Sequence, residues 1–112
     1  MAIISSHTLN GVDGTHAGGI NVTLSRLGKN NEIVFETVMD NGGRLEQEIA
    51  PDQINPDAIY ELVFETGPYW NERGISGGIS QIVLRFSMSN PNGKYHMPII
   101  LSPNSYTIWK SS

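Results

Sequence analysis

Three histidines and one arginine are the side chains of this chain best suited to moving protons and holding an anion: His7, His16, His96 and Arg44. Imidazole titrates near neutrality, so it can take a proton and return it within one reaction. His96 lies in the segment Tyr95–Pro103, Tyr-His-Met-Pro-Ile-Ile-Leu-Ser-Pro. Side chains on a strand alternate between faces. Tyr95, Met97, Ile99 and Leu101 therefore form one apolar set, and His96, Pro98 and Ile100 share the other face. An imidazole beside Ile100 on what should be the wetted face implies that something covers it, and a partner subunit would do so. His7 sits on the first strand run, in parity with Ile3 and Leu9; His16 lies in a Gly-rich loop and reads as a solvated turn residue. Taken singly, His7 and His96 read as hydrogen-bonded structural histidines sooner than as catalysts. Arg44, just after Asp40-Asn41-Gly42-Gly43, reads by itself as a surface arginine at a hairpin end. No carboxylate or third ligand stands at a recognised metal spacing from the histidines, so no metal site is expected. Glu46, Glu48, Glu61 and Glu65 look like solvated strand faces, and no Ser/His/Asp set or phosphate-cradling loop is visible.

The elements that must position these groups are strands. Ile20, Val22 and Leu24 alternate with Asn21, Thr23 and Ser25; Tyr60, Leu62 and Phe64 alternate with Glu61 and Glu65; Ile82, Leu84 and Phe86 alternate with Val83 and Arg85. Further runs fall at Ile3–Leu9, Glu32–Met39, Leu45–Ile49 and Tyr106–Trp109. Between them lie turn-forming clusters, Asn10–Gly14, Gly28–Asn31, Asp40–Gly43 and Asn90–Gly93, rich in residues that tolerate positive φ or preset a bend. Seven or eight short strands so divided predict an all-β, antiparallel sandwich. Only Pro68–Arg73 reads as helical, with Pro68 near the first turn and Gly74 at the stop.

Length and composition narrow the function classes. A chain of 112 residues is expected to form one domain over residues 1–112. Net charge is a mild -4 and the seven basic residues are scattered, which argues against nucleic acid or an anionic membrane as partner. There is no cysteine, which removes disulfides and thiolate chemistry and suits a reducing compartment. No leader is evident in Met-Ala-Ile-Ile-Ser-Ser-His and no apolar stretch approaches the ~20 residues of a spanning helix, so a cytoplasmic protein is expected.

Taken together, these segments resemble a known family, the 5-hydroxyisourate hydrolases of the transthyretin fold. The family's His-Val-Leu-Asp-like opening is matched by His7-Thr8-Leu9-Asn10, its Asp-Gly-Arg turn by Gly42-Gly43-Arg44, and its Tyr-x-Leu-x-Phe strand and Gly-x-Tyr by Tyr60–Phe64 and Gly67-Pro68-Tyr69. Tyr69–Ser76 is similar to the short helix of the hormone-carrier branch, and Tyr95–Pro103 fits Tyr-His-Val-Pro-Leu-Leu-Leu-Ser-Pro closely. The resemblance implies a transthyretin-like sandwich and a hydrolase that opens the ring of 5-hydroxyisourate in urate breakdown. It also implies a homotetramer, a dimer of dimers with active sites in clefts at the interface between dimers. Catalysis would fall to His7, Arg44 and His96 and substrate binding to Arg44, Trp109 and Ser112, with no cofactor.

The chain departs from the family at its end, where Trp109-Lys110-Ser111-Ser112 stands for Tyr-Arg-Gly-Ser; Lys94 and Ile79-Ser80 also differ from the usual histidine and Phe-Pro. Arginine to lysine gives up a planar fork of donors for a point charge. These changes keep open a diverged paralogue that acts on or binds another small cyclic ligand without hydroxyisourate hydrolysis. A hormone carrier is less favoured, because His7, Arg44 and His96 all persist.

Overall fold

Alternation of period two becomes two sheets closed on one core. The computed structural model describes Met1–Ser111. Its strands are β1 (Ala2–Asn10), β2 (Asn21–Leu27), β3 (Glu32–Val38), β4 (Arg44–Ile49), β5 (Ile59–Phe64), β6 (Ile82–Phe86), β7 (Lys94–His96), β8 (Ile99–Ser102) and β9 (Ser105–Ile108), with helix α1 (Gly67–Glu72) between β5 and β6. One sheet runs β4-β1-β8-β9 with β7 also paired to β1, and the other runs β3-β2-β5-β6.

The core is the set that the alternation marks. Ile4, Leu24, Tyr60, Leu62, Phe64, Met97, Ile99 and Leu101 are wholly buried, and both sheets contribute. Each such side chain contributes roughly 1.5–3 kcal/mol on leaving water. β1 is unusual in sending polar side chains inward, and each finds a partner. The Ser6 hydroxyl donates to the Met97 carbonyl (2.6 Å), Thr8 donates to the carbonyls of Ala17 and Gly43, and Asn10 Nδ2 donates to the Tyr69 hydroxyl (3.1 Å). Those bonds tie β1 to the last strands, to the β1–β2 loop, to the turn before β4 and to α1.

Two details differ from the reading of the sequence. The run Tyr95–Leu101 is one strand interrupted, not a continuous one. Its register on β1 is unbroken, Ile3 facing Lys94 and Asn10 facing Leu101, but the ladder lapses at Met97-Pro98. Pro98 has no N–H to donate; its carbonyl accepts from the Trp109 N–H (3.4 Å), while the Met97 N–H reaches the Ser5 carbonyl (2.9 Å). This pairing with β1 is also parallel, whereas the other strand pairs are antiparallel. Parallel neighbours need a long connection, and here the rest of the fold supplies it. The helix lies at Gly67–Glu72, with Pro68 in its first turn, Tyr69 and Trp70 buried, and Gly74 at φ 70° just past its end.

The turn ahead of β4 fixes the entry of Arg44. Asp40 Oδ1 accepts from the N–H groups of Gly42 and Arg44 (2.9 Å each). Gly43 takes φ 70°, and a Cβ there would stand 2.5 Å from the Thr8 carbonyl oxygen. Only glycine fits that corner.

Candidate active site

The outward face of the first sheet carries its chemistry in registered rows. His7 on β1 lies opposite Arg44 on β4. The neighbouring row holds Glu46 on β4, Ser5 on β1 and His96 on β7. Because His7, Ser5 and Ile3 share one face of β1 while Ala2, Ile4, Ser6 and Thr8 go to the core, these groups are presented together by the same alternation that builds the interior.

Hydrogen bonds pin both imidazoles. His96 Nδ1 lies 2.8 Å from the Ser5 hydroxyl, in a half-buried setting, and its Nε2 has no hydrogen-bond partner among the described residues. A hydroxyl can donate or accept. The Ser5 bond therefore survives a change of tautomer in His96, and Nε2 can present either a proton or a lone pair. His7 Nε2 lies 2.8 Å from His16 Nδ1, with the two rings stacked at 4.9 Å. Burial chiefly, then the positive charge of Arg44, then His16 and His96, hold the His7 imidazole below its ordinary value of 6.5, while a contact with the Gly42 backbone opposes them. His7 thus stays neutral, and able to accept a proton, to lower pH than a free imidazole.

Three of the sequence-predicted residues, His7, Arg44 and His96, come together on one face. Trp109 follows β9 beside Pro98 and is 43% exposed, which leaves indole surface for a planar ring. Ser112 lies outside the described residues; its neighbour Ser111 donates its N–H to the His96 carbonyl (2.8 Å) and so closes the edge beside that histidine. The sequence reading passed over Ser5 and His16. Ser5 had a usable signal, its shared parity with His7, but its contact depends on the parallel register with β7. His16 is exposed as expected, yet its ring is engaged by His7.

Among the described residues no group of three His, Asp or Glu is placed to hold a metal ion. Two surface hollows, about 370 Å³ between β2 and β3 and about 290 Å³ near Arg26 and Gln53, are lined by none of the imidazoles. The imidazoles lie on the outward face of the first sheet. Ile100, in the row after His7 and 40% exposed, extends it with apolar surface.

A two-sheet sandwich that sets imidazoles, a guanidinium and an exposed indole on one sheet face defines a protein for small polar ligands. The chain belongs to the HIUase/Transthyretin family, which matches residues 4–111. It is 30% identical to the 5-hydroxyisourate hydrolase of Pseudomonas aeruginosa, over 100% of this chain and 93% of that protein. Among solved structures it is similar to Klebsiella pneumoniae 5-hydroxyisourate hydrolase (TM-score 0.82, 27% identity, 98% of this chain and 99% of that one). Sea bream transthyretin in complex with thyroxine is equally close in fold (TM-score 0.85, 26% identity, 96% and 93% covered).

Proposed function

We propose that this protein is a hydrolase that opens the ring of 5-hydroxyisourate. The observation that carries the reading is the convergence of His7, Arg44 and His96 on one sheet face. Relatives named for that activity in bacteria and in the mouse support it. Fold similarity does not choose between enzyme and carrier, since the transthyretin likeness is as good. Chemistry does. A binding cavity for a carried ligand has no need of two imidazoles pinned beside one arginine, whereas ring hydrolysis has a use for all three.

The reaction adds water to a ring carbonyl, breaks the carbon–nitrogen bond and returns a proton to the leaving nitrogen. His7 and His96 form the proton-handling pair: one takes the proton of the attacking water, the other orients it or protonates the nitrogen. The depressed affinity of His7 for protons suits it to the basic form, and the tautomer-tolerant bond of His96 to Ser5 suits it to either part. Arg44 stabilises charge developing on the carbonyl oxygen and holds an oxygen-rich anion. Trp109 provides a stacking wall, and Ser112 adds a polar contact.

The reading includes one domain over residues 1–112, a homotetramer in which a second copy covers the imidazole face, and a cytoplasmic setting. Support for the covering copy is the exposed Ile100 beside the imidazoles; support for the compartment is the cysteine-free sequence, and no helix among the described residues is long and apolar enough to cross a membrane. The second reading, a paralogue with another cyclic ligand, rests on Trp109 and Lys110 standing where the hydrolases carry tyrosine and arginine. One experiment separates them. 5-Hydroxyisourate generated by urate oxidase loses its ultraviolet absorbance spontaneously; catalytic amounts of this protein should accelerate that loss, and no acceleration by an intact tetramer would establish the paralogue.

A further inference from the structure

The loop between β1 and β2 folds back and lays a second imidazole against His7. Asn10 Oδ1 accepts from the N–H groups of Val12 and Asp13 (2.8 and 3.3 Å), and Asp13 Oδ1 accepts from the N–H and hydroxyl of Thr15 (2.9 and 2.6 Å). The returning chain is then stitched to the strand it left: the Asn10 N–H donates to the Thr15 carbonyl (2.8 Å) and the Ala17 N–H to the Thr8 carbonyl (2.9 Å), with His16 bridged to Leu9 between them. Backbone on both sides of His16 is therefore fixed, and its Nδ1 is delivered to within 2.8 Å of His7 Nε2.

We propose that His16 is a positioning residue for His7, and that the two rings act as one acid–base group holding a single proton between their facing nitrogens. The inference rests on the hydrolase reading above. An N–H···N bond needs one donor and one acceptor. Two neutral rings satisfy it, and so do one neutral ring and one imidazolium; two imidazolium ions cannot, because both facing nitrogens then carry hydrogen. The first proton taken by the pair is met by a charge-assisted bond, and the second must break it.

The other groups around His7 also oppose the second proton. Arg44 faces it from β4, His96 from β7 and His16 from the loop; the nearest carboxylate in register, Glu46, lies one row away opposite Ser5. With every facing group cationic or able to become so, a doubly protonated pair is disfavoured. His7 is thereby held in one orientation.

The hydrogen bond uses Nδ1 of His16, the ring atom that asparagine Nδ2 reproduces in position. His16→Asn keeps a donor there but cannot titrate, and His16→Ala removes both. Ring NMR of the substrate-free protein across pH reads the pair directly. In the native protein, His7 and His16 should each report two shared steps; in His16→Asn, His7 should follow one simple step. In turnover, His16→Ala should lower kcat by about tenfold with little change in KM, as expected when a reacting group loses its alignment, and His16→Asn should restore most of it. Independent single-step curves for the two native rings, or a His7 curve unchanged in His16→Asn, would overturn the shared proton. A His16→Asn enzyme as slow as His16→Ala would overturn the positioning role. The NMR result stands whatever substrate is turned over, so its failure is distinguishable from failure of the hydrolase reading.

Discussion

The outer faces of the two sheets are built by the same alternation and spend their polar residues in opposite ways. On β3-β2-β5-β6, unlike charges meet: Arg85 Nε pairs with Glu61 (3.0 Å) on the outer face, and Arg26 pairs with Glu32 where the inward row of β2 reaches the sheet's end. These are the two ion pairs among the described residues, and both belong to that sheet. On the other sheet His7 faces Arg44, His16 and His96, and among the described residues no carboxylate is bonded to any of their side chains. Paired opposite charges on a strand face are inexpensive and common. A cluster of groups that repel one another when protonated opposes its own ionisation, and such clusters mark sites where proton affinity is tuned. The contrast supports the proposed working face without reference to any relative.

That contrast can be tested from either side. The largest effect is expected at His96→Ala, which should lower turnover by at least about 10²-fold while leaving the assembly intact by sizing; an active variant breaks the assignment. Gly43→Ala comes next, because a side chain at φ 70° would run into the Thr8 carbonyl and displace Arg44. Stability should fall by about 2 kcal/mol or more on thermal or urea unfolding, with activity falling alongside. Ser5→Ala frees the His96 ring and should cost about tenfold in kcat, with Ser5→Thr close to native because it retains the hydroxyl. The pH profile gives a smaller, signed effect. A depressed proton affinity means that His7 binds its proton only at lower pH, so the acid limb of kcat/KM should fall below the ordinary imidazole value of 6.5. At the small end, Arg85→Ala on the opposite sheet should leave turnover unchanged and alter stability by no more than ~1 kcal/mol, as exposed pairs do. A marked loss of activity there would erase the distinction between the faces.

How much of this was legible beforehand depends on the range of the interaction involved. Local alternation predicts the core positions of β2, β5 and the Tyr95–Leu101 run, because a buried face writes its period into neighbouring residues. Pro68 and Gly74 bracket the helix for equally local reasons. The parity of His96 places it on an outer face, whereas His7 shares parity with the apolar Ile3 and Leu9. Only the burial of Ala2, Ile4, Ser6 and Thr8 turns that set outward; register on neighbouring strands then makes the two faces one. Ser5 looked like any strand serine because its partner is fixed by a parallel ladder that no local pattern encodes. His16 was hidden by its surroundings, since a glycine-rich loop reads as solvated unless the return of its backbone to β1 is known. The sequence reading ran the strand through Pro98; the lapse there follows from proline's missing donor, with Trp109 approaching from β9 to use the carbonyl.

Ser5 and His96 meet across 91 positions of chain. During synthesis, β1 leaves the ribosome long before the segment that becomes β7 and β8, and through that interval half of its ladder has nothing to bind. Closing so distant a contact is slow and comes late. Catalytic competence in a growing chain should therefore switch on only once nearly the whole polypeptide has been made, which makes enzyme activity a strict reporter of completed folding for this protein.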